Sequence, residues 1–312
     1  MTLLLKETSV VDSPRSAHGL GTLIRPAWLP AEDWPFETRM LRVGDCDLAV
    51  TDVGRGPVLF FVHTGLWSFV WRDVLNRLSR EYRCVCFDGP GTGLSSRMPA
   101  SKITLDAAAR AAASVIRALD LREFTLVVHD LGGLAGIAGA SETPERVRGL
   151  AAINTFAWPP AGMLSAALAF FGSTPVREVD ALTRLVPRIT ATTFGIGRDL
   201  DGNSRRAFLA GVDAAAIRAF HAYLREARHC HELYEQLGRA LAGPFRRLPL
   251  LTIFGERNDP FCFQARWKEL FPDVQQVVIP RGNHFPMCDD PQFVAQTISA
   301  WHRQQFLPPP AE

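Results

Sequence analysis

The strongest constraint on the fold comes from short runs that are apolar almost throughout. VLFFV (58–62), TLVVHD (125–130), VRGLAAIN (147–154) and LPLLTIFG (248–255) lack the polar–apolar alternation of a strand with one face in water. Strands of this kind are covered on both faces, as in a parallel sheet held between layers of helices. RCVCFD (83–88) and VQQVVIP (274–280) add two more, and 38–43 with 46–52 form a hairpin turning at Gly44-Asp45. Helical periodicity fills the intervals: FVWRDVLNRLS (69–79), Asp106 to Leu119, Gly132 to Ala140, and DPQFVAQTISAWHRQ (290–304). The expected class is α/β, a mainly parallel central sheet flanked by helices.

This alternation stops between 156 and 245, where only helical patterns occur, so an inserted helical cap is expected there. The core is then 38–155 together with 246–312, and the proline-bearing residues 1–37 are an irregular N-terminal arm. A chain of 312 residues suits one large domain with such an insertion. A net charge of +2 without a basic tract argues against nucleic acid as a partner. The longest apolar stretch, MLSAALAFF (163–171), is about half a membrane span, and the opening MTLLLKETSV is too short for a signal peptide. Six scattered cysteines read as reduced thiols, which fits a cytoplasmic protein. His229, Cys230 and His231 are neighbours on one helix and point apart, so no metal is expected. GPGTG (89–93) lacks both dinucleotide spacing and a P-loop lysine, and no cofactor beyond water is expected.

Residues 127–133, VVHDLGG, carry the chemistry. A buried strand reaches Asp130 and breaks into Gly132-Gly133, a sharp turn that lifts one side chain above the sheet. Two other strand ends carry partners: Asp259 in FGERNDP, with Asn258 beside it, and His284 in RGNHFP. Functional groups in open α/β sheets collect at these carboxyl ends, and the chain order is nucleophile, acid, histidine. Taken alone, Asp130 could equally cap the helix that follows. His129 is expected to face away from the cleft and pack under the sheet, and Asp88 to hold a tight glycine turn.

FVHTGLWSFVWRDV (61–74), FDGPGTGLSS (87–96), VVHDLGG, NTFAWPP (154–160), FGERNDPF (254–261) and GNHFPMCDDP (282–291) together resemble the α/β-hydrolase superfamily, in the branch of haloalkane dehalogenases and epoxide hydrolases. The resemblance implies that Asp130 attacks saturated carbon and forms an alkyl ester, which water activated by His284 then hydrolyses. Asp259 is the expected orienter of His284, with Asn258 the alternative. The backbone N–H of Leu131 is one expected oxyanion donor, and the resemblance places the second at Gly65 or Thr64. Haloalkane dehalogenases typically carry a tryptophan directly after the nucleophile to hold the halide. Leu131 stands there, so Trp67 and Trp158 are the candidate replacements. Epoxide hydrolysis needs an acid for the ring oxygen, and Tyr223 is the candidate. A strained lactone, an ester, or a non-catalytic interaction protein on the same fold remain alternatives. The expected partners are a small apolar substrate and water.

Overall fold

The structure, a computed structural model, describes residues 20–22, 25–198 and 200–306. The expected reading of MTLLLKETSV therefore lies outside the described residues. Nine described strands form one sheet: β1 (Leu20–Thr22), β2 (Thr38–Val43), β3 (Cys46–Val53), β4 (Val58–His63), β5 (Arg83–Phe87), β6 (Phe124–His129), β7 (Val147–Ile153), β8 (Leu250–Gly255) and β9 (Gln275–Ile279). Their spatial order is β1-β2-β3-β5-β4-β6-β7-β8-β9. The first three pairings are antiparallel, and every pairing from β5 to β9 is parallel.

The missing alternation in the central strands now has its reason. On β4, Phe60 and Val62 enter a core shared with α2 (Leu105–Ala118) and α3 (Gly132–Ala140), while Leu59 and Phe61 enter a second core. That second core lies on the opposite face, against α1 (Arg72–Leu78) and α12 (Pro291–Phe306). Both faces are dry, so both sets of side chains must be apolar.

Two expectations need correction. Leu20–Thr22, inside the supposedly irregular arm, pairs with β2 as an edge strand, Leu20 opposite Leu41. Three residues with no apolar pattern of their own leave no periodic signal. The expected helix over 69–79 divides into a 3-10 turn at Ser68–Trp71 followed by α1.

Six described helices separate β7 from β8: α4 (Gly162–Phe171), α5 (Thr174–Thr183), α6 (Leu185–Thr190), α7 (Gly202–Ala210), α8 (Ala214–Glu226) and α9 (His231–Ala242). Asp201 and Asp213 accept hydrogen bonds from the first-turn amides of α7 and α8. Helix α8 lies over the loops that follow β4 and β5. Its Tyr223 hydroxyl donates to the Pro90 carbonyl at 2.9 Å, and its Phe220 ring lies against Gly65. Among the described residues no single helix is long and apolar enough to cross a membrane. Helices α10 (Phe263–Leu270) and α11 (Pro286–Asp289) follow β8 and β9.

The glycine pair after β6 is a requirement of close approach. A Cβ on Gly132 would stand 2.3 Å from the Val62 carbonyl oxygen, and one on Gly133 would stand 2.0 Å from Thr155 Oγ1. The first obstacle is backbone of the neighbouring strand and cannot swing aside. Gly132→Ala is expected to destabilise the protein by about 2–3 kcal/mol through overpacking, read as a lower urea midpoint at unchanged slope. An unchanged midpoint would mean that α3 can slide off β4 at no cost.

Candidate active site

Strand β6 ends at His129, and Asp130 turns the chain with φ of +51°, in the left-handed region that non-glycine residues seldom occupy. The turn is braced from the loop just after β7, where the Thr155 hydroxyl donates to the Asp130 carbonyl at 2.6 Å. The carboxylate stands above the carboxyl edge of the sheet, with about a fifth of its side chain exposed, and faces His284 across an Oδ2–Nε2 distance of 3.9 Å. Burial would push the Asp130 carboxyl up. Contact with the His284 ring, and the smaller influence of His129 and His63, outweigh burial and bring it down to about 2. Asp130 is therefore ionised at neutral pH without a base to activate it.

The loop carrying His284 is clamped from two strands. The His284 carbonyl accepts from Asn154 Nδ2 and from His129 Nε2, each at 2.8 Å. The same Asn154 amide donates to the Asn283 carbonyl at 2.9 Å, while its Oδ1 accepts from the Gly255 amide at 3.1 Å. Asn154 thus ties the end of β7 to the end of β8 and to the histidine loop. The sequence signal for it was a polar residue closing the apolar run VRGLAAI. His63, which closes VLFFV in the same way, also carried no expected role. Its Nδ1 lies 3.0 Å from His129 Nδ1. Both rings are buried. Burial is the main cause that lowers His63 to about 4 and His129 well below the usual imidazole value, so both are neutral at neutral pH.

Of the two candidate orienters, Asn258 is the one beside the imidazole. The side chain at His284 Nδ1 is Asn258, with its Nδ2 3.2 Å away. Asp259 points into the start of α10, where its two oxygens accept from the amides of Phe263 (2.6 Å) and Gln264 (3.0 Å). A carboxylate placed just before a helix finds unsatisfied N–H groups close by, and here that local attraction holds it away from the imidazole. An amide can present either end to the ring. With Oδ1 inward, Asn258 accepts from Nδ1–H and leaves the Nε2 lone pair facing Asp130.

Leu131 is buried, and its amide, at the start of α3, donates to no acceptor among the described residues. Gly65 takes φ of +101°, and the Thr64 hydroxyl is buried with no hydrogen-bond partner among the described residues. Asp88 is the turn-holder expected of it, accepting from the amides of Ser68 and Leu94 at 2.7 Å each.

The leaving-group candidates have packing partners of their own. Trp67 is enclosed by Trp28, Trp34 and Phe69, with its N–H buried and unpartnered. Trp158 lies against Trp267 and Phe263 under the guanidinium of Arg266. The Tyr223 hydroxyl is fully buried and engaged with Pro90. Asp130, His284 and Asn258 come together; Asp259, Trp67, Trp158 and the Tyr223 hydroxyl are engaged in other contacts.

The sequence profile of the alpha/beta hydrolase family matches residues 59–297. Among curated relatives, Haloalkane dehalogenase 2 of Mycobacterium bovis is 28% identical over 280 residues, covering 85% of this chain and 94% of the relative. The Cis-3-alkyl-4-alkyloxetan-2-one decarboxylase of Shewanella oneidensis is 27% identical over 275 residues, covering 82% and 85%. Among solved structures, a putative ancestral haloalkane dehalogenase superposes with a TM-score of 0.71 at 21% identity, covering 85% of this chain and 98% of that one. A haloalkane dehalogenase loop variant from Bradyrhizobium elkanii gives 0.70 at 19% identity, covering 85% and 95%.

Proposed function

The chain belongs to the alpha/beta hydrolase family and is a haloalkane dehalogenase-like hydrolase, and from that premise we propose that it works through a covalent alkyl ester on Asp130. The observation that carries this reading is the ionised carboxylate at the strand end, 3.9 Å from His284 Nε2. One Asp130 oxygen attacks a saturated carbon, and the bond from that carbon to the leaving group breaks with its electron pair. His284 then takes a proton from water, and the hydroxide adds to Asp130 Cγ. The resulting oxyanion is held by the Leu131 amide and by an amide of the 64–65 loop. Collapse expels the alkoxide, which takes the proton from His284; the carboxylic acid left on Asp130 gives up its own proton to solvent, and the carboxylate is restored.

An isotope experiment tests this directly. A single turnover in ¹⁸O-water is expected to release product carrying the old carboxylate oxygen, while the Asp130 peptide gains ¹⁸O. Label appearing first in the alcohol would mean that water attacks the substrate itself, and the ester mechanism would be lost.

The leaving group supports a second reading. A halide departing beside Leu131 meets an apolar side chain at the position directly after Asp130, and the indoles of Trp67 and Trp158 are packed in aromatic clusters. The epoxide reading is weakened in the same way, because all three tyrosine hydroxyls are engaged, Tyr82 with Ser299, Tyr223 with Pro90 and Tyr234 with Ala227. A strained cyclic ester opened at its alkyl carbon expels a carboxylate, which spreads its own charge and needs less help from the site. The name of the Shewanella relative points to such an oxetanone ring. Parallel assays of halide release and lactone opening separate the two substrate classes on one nucleophile.

A further inference from the structure

The two buried histidines His63 and His129 form a chain whose proton positions can be read from its ends. The His284 carbonyl can only accept, so the proton on His129 must sit on Nε2, the atom 2.8 Å away. His129 is neutral, which leaves its Nδ1 with a lone pair. That lone pair faces His63 Nδ1 at 3.0 Å, so His63 must donate from Nδ1. His63 Nε2 is then bare, in keeping with its having no donor near it among the described residues. The opposite tautomer of His129 would set a lone pair against the carbonyl.

We propose that His129 is a positioning residue for the catalytic base: its Nε2–H holds the backbone of His284, and His63 satisfies the ring nitrogen left bare on its other side. His129 is bonded covalently to Asp130, so this tie fixes the base to the residue preceding the nucleophile. Asn154 holds the same carbonyl from β7 and the adjoining Asn283 carbonyl. With both donors the His284 main chain is fixed in two directions, while its ring stays open to solvent on one side. Without His129, one of the two restraints goes and the 3.9 Å gap to Asp130 is free to change.

The inference rests on the ester mechanism and adds to it a step-specific consequence. Alkylation uses only Asp130, whereas ester hydrolysis needs His284 in register. His129→Phe fills a similar volume and donates nothing. It is expected to cut turnover about 10- to 100-fold, with KM falling alongside, kcat/KM little changed and the alkyl ester accumulating in the steady state, seen as added intact mass. His129→Gln, whose amide N–H can reach the same carbonyl, is expected to recover most of the rate. Turnover of His129→Phe at the parent rate, or equal losses in alkylation and hydrolysis, would overturn the positioning role. Should His129→Phe fail to fold, ¹⁵N chemical shifts of the unaltered protein decide: they are expected to report His129 protonated at Nε2, and a proton at Nδ1 would overturn the proposal. Failure of the underlying mechanism would show separately, as no adduct on His284→Gln.

Discussion

His284→Gln is expected to stop turnover and to gain mass when it meets its substrate. General-base assistance contributes about 10²–10⁴ in rate, so the ester formed on Asp130 should outlast the assay. The mass added identifies the reaction. An alkyl group without halogen means displacement of halide, and the whole mass of an epoxide or oxetanone means ring opening. Absence of any adduct across haloalkanes, epoxides and lactones would count against Asp130 as the nucleophile. The pH profile of the variant adds a second check. In the native protein Asp130 is held down to about 2, chiefly by the ring of His284 working against burial. Glutamine removes that opposing influence, so the carboxyl moves up. The attacking species is the carboxylate, so adduct formation by the variant must fall away at a higher pH than alkylation by the native protein. An unshifted acid limb would mean that His284 does not hold the carboxylate ionised.

Most of the frame was legible because both faces of the sheet are dry. Each central strand announced itself as an unbroken apolar run, and the observed bounds of β4 to β9 fall within one or two residues of the expected ones. What escaped was short or depended on a partner. Leu20–Thr22 is a strand only because β2 offers it an edge. Asn154 and His63 matter because of where the histidine loop passes, which no local pattern records. The indoles of Trp67 and Trp158 sit in motifs that border a cleft by resemblance, yet their rings turn into aromatic clusters. Placement in a motif fixes a backbone position and leaves the rotamer to packing.

The choice between Asn258 and Asp259 is the sharpest case, and it predicts a gain. An amide at Nδ1 orients the imidazole but supplies no charge to balance the imidazolium that forms as water gives up its proton. Asn258→Asp places a carboxylate at that point. It is expected to speed ester hydrolysis by about 10-fold or more, a fraction of what a buried triad aspartate supplies elsewhere. Asp259→Asn should behave oppositely in kind. It weakens the start of α10, costing about 1 kcal/mol of stability, while turnover stays within about 2-fold of the parent because no contact with His284 is lost. Steady-state kinetics and urea melts of the two variants, side by side, test the pair. If Asp259→Asn instead abolished hydrolysis and Asn258→Asp changed nothing, the carboxylate would have to leave the α10 amides during catalysis and swing to His284. The amide contact seen here would then be the resting arrangement, and the loop 256–262 a moving part of the mechanism.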